Sequence, residues 1–225
     1  MPAHLRRPRR LLLASAMAAL WIATVGATSV GALTTWRRDV YFARGYEHQI
    51  DSRTCTAAAT AMMLNMIQRR DLNLSQRTVL RYAQPRDALN DAVQRGSDPL
   101  GWARAVSHYS RYTSHPTAYR WEAYSTKLEA QRRAVQQLAR TGKPVGLLVA
   151  HGTHAMVLTG ATSNANPATT DKFVVGSLAI SDPNGIAHKW YDAPKSPLNS
   201  YLEKDATFRY DGAWYGKYVI IVPQR

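Results

Sequence analysis

Apolar residues follow different patterns in the two halves of the chain. In the first half, four segments have helical composition or spacing, and polar residues suited to capping stand at or near the start of the first three. These predicted helices are residues 54–68, 75–84, 98–112 and 126–140. In the fourth, the helical period directs Leu128, Val135 and Leu138 toward the core, and Gly142 ends the helix.

Beyond Pro144 the apolar residues form short runs rich in β-branched side chains. Such runs predict strands at residues 145–150, 155–161, 172–181 and 218–223. The polar residues 163–171, between two of these strands, are expected to form an exposed hairpin loop. Helices followed by strands, rather than alternating with them, predict an α+β fold.

The first 32 residues have the organisation of an export signal. Arginines within residues 6–10 precede 26 uncharged residues, which begin with three leucines and later become small and polar. We expect residues 1–32 to be a secretory signal peptide that is cleaved, or a signal anchor that stays in the membrane. The protein would then be secreted or membrane-anchored, with residues 33–225 forming a single domain.

The net positive charge bears on the kind of partner. The formal net charge is +14, and the four arginines of the export signal account for part of it, leaving +10. This excess favours anionic partners such as lipid headgroups or cell-surface polymers. The remaining positive charges are scattered in pairs such as Arg69-Arg70, so nucleic-acid binding is not predicted. We expect the domain to be a monomer.

The chain has one cysteine, Cys55. A disulfide within the chain and a zinc site built from several cysteines are therefore excluded. His108, His115 and His188 lack the spacing of metal ligands, so neither a metal nor another cofactor is expected. The single thiol needs an explanation of its own.

Cys55 lies in the first turn of the first predicted helix. Unpaired backbone N–H groups and the positive end of the helix dipole stabilise a thiolate at such a position, which favours a nucleophile. Gln49, six residues earlier, could direct an amide N–H toward the same point. Together with the Cys55 N–H, it could stabilise an oxyanion formed when sulfur attacks a carbonyl.

A nucleophilic thiol needs a base, and His154 stands at the start of an apolar strand. His151 is a rival, but residues three apart tend to face opposite sides of a strand. Asp182, at the end of the next strand, would lie beside His154 if the two strands pair antiparallel, and could orient the imidazole. Asp182 could instead bond only within its own turn, in which case Asn184 is the substitute.

The order Gln49, Cys55, His154, Asp182 resembles that of the papain-like cysteine peptidases. The resemblance implies a papain-like fold, in which an N-terminal helical half packs its nucleophile helix on a C-terminal antiparallel sheet. It also implies a role for each residue. Cys55 would be the nucleophile, His154 the general base and acid, Asp182 the orienting residue and Gln49 the oxyanion donor.

A finer pattern resembles the bacteriocin-processing, double-glycine leader branch of that superfamily. It comprises the Ala- and Met-rich cysteine helix, residues 142–149, residues 154–160 and Asp182-Pro183, within about residues 46–190. The branch usually has Cys-Gly-Pro-Ala at the nucleophile, whereas this chain has Cys55-Thr56-Ala57-Ala58. Loss of the Gly-Pro pair changes the space beside the sulfur, which bears on the choice of substrate.

Three functions agree with these residues. The resemblance favours a cysteine peptidase, a thiol-dependent hydrolase that cleaves peptide or amide bonds in a peptide or protein substrate. The altered sequence after Cys55 favours a catalytically degenerate module that binds peptides or anionic cell-wall polymers. A thiol acyltransferase or deamidase would use the same residues, and the sequence does not separate it from a hydrolase.

Overall fold

The computed structural model describes residues 35–88, 96–201 and 213–224, and the predicted export signal lies outside them. The helices are α1 (Cys55–Gln68), α2 (Gln76–Ala83), α3 (Pro99–Ser110) and α4 (Lys127–Thr141). The strands are β1 (Trp36–Asp39), β2 (Tyr119–Tyr124), β3 (Val145–Val149), β4 (His154–Ser163), β5 (Val175–Asp182), β6 (Ile186–Asp192) and β7 (Tyr218–Pro223). The predicted α+β class is confirmed, because α1 to α3 pack on an antiparallel sheet.

Local capping sets the helix starts where the sequence predicts them. The Ser75 hydroxyl accepts a hydrogen bond from the Thr78 N–H at 3.4 Å, and the Asp98 carboxylate accepts two N–H groups of the first turn of α3. Thr126 and Glu129 form a reciprocal capping box at the start of α4. These bonds satisfy donors that a helix start otherwise leaves unpaired, so a short stretch of sequence determines each start.

The prediction that three residues of α4 face the core is wrong for one of them. Val135 and Leu138 are buried, and Gly142 ends the helix with a left-handed φ of 68°. Leu128, however, is 59% exposed. Leu128 lies on the same side as Val135 by helical period, but burial along α4 begins only at Ala130. The period indicates which side of a helix faces the core, whereas the packing partner decides how far along the helix the core extends.

The described strands form one antiparallel sheet. Its order is β2-β7-β3-β4-β5-β6, and β1 pairs with the later part of β4. Alternate residues of the central strands face opposite sides: Leu148 packs with α1 to α3, and Leu147 packs with α4. The sheet therefore has helices on both faces, with the helix that carries Cys55 on one and α4 on the other.

Three strands were not predicted from apolar runs in the sequence. β1 has one half-buried residue followed by three exposed ones, and β6 has no buried residue. β2 alternates aromatic with charged side chains and pairs along its whole length with β7. Strands that border solvent contain too few apolar residues for a run, so only pairing with a neighbour reveals them.

Helix α1 is buried on all sides. Every residue from Cys55 to Met66 is buried, between α2 and α3 on one side and the sheet on the other. The close packing of this layer includes Gly146 of β3, where an added Cβ would lie 2.6 Å from the Trp102 ring of α3. A helix enclosed in this way holds its first residue at a fixed position relative to β4.

A largely buried carboxylate, that of Glu122, joins β2 to α4. It accepts hydrogen bonds from the side chains of Arg133, Tyr124 and Arg120. Burial opposes the charged form, but these bonds outweigh burial and lower the pKa of Glu122 to about 2.

Within the described ranges, none of the helices is both long and apolar enough to cross a bilayer.

Candidate active site

Cys55 is the first residue of α1, and its thiol is free. The preceding Thr54 does not cap the helix, because its hydroxyl bonds to the backbone of Asp51 instead. Within α1, the first backbone N–H that donates to a backbone carbonyl is that of Ala58, which bonds to the Thr54 carbonyl at 2.8 Å. The N–H groups before it belong to the first turn of α1, which Cys55 begins, and this turn is the positive end of the helix dipole.

His154 and Asp182 are brought together by two adjacent strands. His154 begins β4 and Asp182 ends β5, and these strands pair antiparallel with Val157 opposite Ser181. This register places the two side chains diagonally on one face of the sheet. His154 Nε2 lies 2.6 Å from Asp182 Oδ1, and both side chains are largely buried.

The Asp182 carboxylate also makes the local turn bond that the sequence suggests as its alternative use. The Asn184 N–H donates to Oδ1 at 2.8 Å, so the same oxygen accepts from Asn184 and from His154. The two uses of Asp182 therefore coexist. The turn bond holds the carboxylate in the orientation that meets the imidazole.

Cys55 and Asp182 both act on the His154 imidazole. Burial lowers the pKa of His154, but hydrogen bonding and Coulomb attraction with Cys55 and Asp182 outweigh burial, and the pKa is raised above its ordinary value. Because Nε2 is bound to Asp182, Nδ1 is the nitrogen left to exchange a proton with the thiol. This arrangement favours the imidazolium form of His154 beside the Cys55 side chain.

The rival histidine, His151, lies in a turn before β4 and is exposed. Its Nδ1 contacts the Ser200 carbonyl at 3.1 Å. The turn is strained, since φ is 48° at Ala150 and 57° at His151, and both residues carry a Cβ. The structure therefore gives a carboxylate partner to His154, and His151 reaches a different segment because the chain is not yet a strand at that point.

Gln49 lies in the irregular segment between Tyr46 and Thr54 and is half-buried. Its backbone N–H donates to the Pro183 carbonyl at 2.9 Å, which ties it to the turn that carries Asp182. Its side-chain Nε2 donates to the Asp51 carbonyl at 3.1 Å, and Oε1 is buried without a hydrogen-bond partner in the described part of the chain. An amide has two N–H groups, and the bond to Asp51 uses one of them.

Two further residues hold this region together, and the sequence contains no signal for either. The Tyr46 hydroxyl donates to the Asp182 carbonyl at 2.9 Å and accepts from the Gly185 N–H at 3.1 Å. Burial raises the pKa of Tyr46, and the bond from Gly185 only partly offsets this effect. The second residue, Gln76, bonds to the backbone next to Gln49. Both act across long stretches of chain, which a single sequence cannot relate.

Metal-binding clusters of three or more His, Cys, Asp or Glu side chains do not occur among the described residues. His188 Nε2, for example, lies 3.3 Å from Asp39 Oδ2, and the His188 ring stacks on Tyr41.

Comparisons with known proteins give similar solved structures but no similar sequence family. No family model matches the sequence, and no curated protein matches it. UfSP from C. elegans has a solved structure that is similar over 80% of this chain, with a TM-score of 0.45 and 14% sequence identity. This chain spans about a third, 32%, of the length of that one.

Proposed function

We propose that this chain is a thiol-dependent hydrolase of the papain-like kind that cleaves peptide or amide bonds. The observation that carries the proposal is the position of His154, which bonds to Asp182 at 2.6 Å and interacts with Cys55 at a helix start. These contacts support acyl transfer by a thiol, with Cys55 as nucleophile, His154 as base and Asp182 as orienting acid. Gln49 would supply the oxyanion donor together with the Cys55 N–H.

The proposed reaction has two stages. The Cys55 thiol gives its proton to His154 Nδ1, and the sulfur attacks the carbonyl carbon, so that the C=O electron pair moves to oxygen. Collapse of this oxyanion breaks the C–N bond, and His154 gives the proton to the leaving amine. In the second stage His154 takes a proton from water, and the hydroxide attacks the thioester carbonyl to form a second oxyanion. Collapse of that oxyanion breaks the C–S bond, and His154 returns the proton to sulfur, so the acid and the Cys55 thiol are released.

The finer features of the proposal rest on the sequence. The segments around Cys55 and His154 favour the bacteriocin-processing branch of the superfamily, with a peptide or protein as substrate. The export signal in residues 1–32 favours action outside the cytoplasm, either secreted or membrane-anchored. The net positive charge favours anionic cell-surface polymers or lipid headgroups as neighbours of the protein.

A peptide-library cleavage profile of the purified chain tests the proposal, with Cys55→Ala as the control. We expect cleavage by the wild type and none by the variant. Covalent capture of a thiol-directed peptide probe without turnover would instead favour the binding module. Products that carry an added amine would favour acyl transfer. A wild type that neither cleaves peptides nor captures the probe would overturn the proposed thiol chemistry.

A further inference from the structure

Gln76 makes two hydrogen bonds to the backbone on either side of Gln49. Its Nε2 donates to the His48 carbonyl at 2.7 Å, and its Oε1 accepts from the Ile50 N–H at 3.1 Å. The residue is only 7% exposed, although it belongs to the first turn of α2. A buried amide with both ends bonded to one short segment is a specific connection rather than a surface contact.

The pattern of these two bonds is that of one residue in a neighbouring parallel strand. Such a residue donates to the carbonyl before its neighbour and accepts from the N–H after it. Here a side chain replaces the strand. The segment that carries Gln49 belongs to no helix or strand, so these two bonds hold its backbone as cross-strand hydrogen bonds hold a strand.

We propose that Gln76 is a positioning residue that holds Gln49 for oxyanion stabilisation, an inference that rests on the proposed function. Gln49 is fastened on one side by its own N–H on the Pro183 carbonyl, and on the other by Gln76. The first bond fixes Gln49 relative to the turn of Asp182, and the second fixes it relative to α2. A donor held before the substrate arrives loses nothing to reorganisation when the oxyanion forms.

Two reagents separate this role from general damage to the site. p-Nitrophenyl acetate acylates Cys55 through an oxyanion: sulfur attacks the carbonyl carbon, the C=O electron pair moves to oxygen, and collapse expels p-nitrophenolate. Iodoacetamide alkylates the same sulfur by direct displacement of iodide, with no oxyanion. Loss of oxyanion stabilisation slows only the first reaction, whereas disturbance of Cys55 or His154 slows both.

The experiment measures both rates for the full chain and for Gln76→Met, which keeps the volume of the side chain and removes both hydrogen bonds. We expect acylation to slow about 10-fold or more, because small misplacements of a catalytic group are costly. Alkylation should stay within about twofold of the wild type, since it needs no oxyanion donor. In a Gln49→Ala background, Gln76→Met should have no further effect on acylation.

Two variants complete the test. Gln131→Met is the matched control, because it removes two hydrogen bonds from an equally buried amide on α4, which bonds to Ala193 and Ser196. It should leave both rates unchanged. In Gln76→Glu, a protonated acid could restore both bonds, so its acylation rate relative to the wild type should rise as the pH falls.

The outcomes distinguish this inference from the proposed function. An acylated wild type with unaffected acylation in Gln76→Met overturns the positioning role alone. Equal losses of acylation and alkylation in that variant also overturn it, because they indicate damage to the nucleophile. A wild type that releases no more nitrophenolate than Cys55→Ala overturns the proposed function, and the positioning role with it.

Discussion

Replacement of Asp182 by asparagine would remove a charge from the candidate site while keeping the shape of the side chain. Asp182 Oδ1 accepts from the Asn184 N–H at 2.8 Å and contacts His154 Nε2 at 2.6 Å. An asparagine there must present its oxygen to these two donors, because its NH2 group would face N–H groups. The imidazole would therefore keep its proton on Nε2 and leave Nδ1 for the thiol.

The size of the effect follows from what each substitution removes. A hydrogen bond to a charged group contributes roughly 1.5–3 kcal/mol, and a neutral one about half as much. Asp182→Ala removes the bond to His154 entirely, so we expect kcat/KM to fall about 100-fold. Asp182→Asn keeps a neutral bond, so we expect a fall of about 10-fold.

The pH profile of kcat/KM separates charge from geometry. The pKa of His154 is raised in part by the Asp182 charge, and the imidazolium form is lost as the pH rises through that pKa. Without the negative charge the imidazolium is less stable, so the alkaline limb of the profile should move to lower pH in Asp182→Asn. Asp192→Asn, at an exposed carboxylate of β6, should leave the profile unchanged.

Two results would refute this reasoning. If Asp182→Asn is as inactive as Asp182→Ala, the bond from Asn184 does not fix the orientation of the side chain. If the alkaline limb of Asp182→Asn coincides with that of the wild type, the Asp182 charge does not act on the imidazole.

Three other predictions concern reactivity and stability. Iodoacetamide should label Cys55 near neutral pH faster than it labels a small free thiol, and His154→Ala should slow this labelling about 10-fold or more. A wild-type labelling rate no faster than that of the free thiol would count against activation of Cys55 by His154. Because Glu122 has a folded pKa of about 2 against an ordinary 4.5, its stabilisation is present above pH 4.5 and is lost as the pH falls toward 2. Glu122→Gln should lower the free energy of unfolding at pH 7 by at most about 3 kcal/mol and flatten its acid limb, as urea titrations at several pH values would show; an unchanged acid limb would contradict this. Ala150 has a left-handed φ of 48°, so Ala150→Gly should relieve strain and raise the free energy of unfolding by about 0.5–1 kcal/mol. Ala43 lies outside the left-handed region, so Ala43→Gly should lower the free energy of unfolding. Equal effects of the two substitutions would argue against strain at Ala150.

Sequence patterns predicted best the features that depend on neighbours in the chain. The starts of α2, α3 and α4 agree with their capping residues, because a cap bonds to N–H groups within three positions. Strand β7 agrees to the residue for a related reason, since it is apolar and buried from Val219 to Pro223. The exposed Leu128 and the strands β1, β2 and β6 depend on partners that a local pattern does not contain.

In the candidate site, too, some features depend on local sequence and others on contacts between distant residues. Helix composition placed Cys55 at a helix start, and the order of residues predicted His154 and Asp182 as partners. Their contact depends on the register of β4 against β5, and the double use of the Asp182 oxygen depends on the turn that follows. Tyr46 and Gln76 had no signal at all, since their importance comes only from what they touch.

The sequence by itself determined the α+β class, the positions of the helices and the four residue types on which the proposed chemistry depends. Periodicity and capping are short-range properties, so one chain is enough to read them. The tertiary structure alone decided that Asp182 bonds to His154 as well as within its own turn, and what holds Gln49 in place. Those contacts join residues about 28 positions apart in both cases, His154 to Asp182 and His48 to Gln76, and only the packing of α1, α2 and the sheet brings such residues within hydrogen-bond distance.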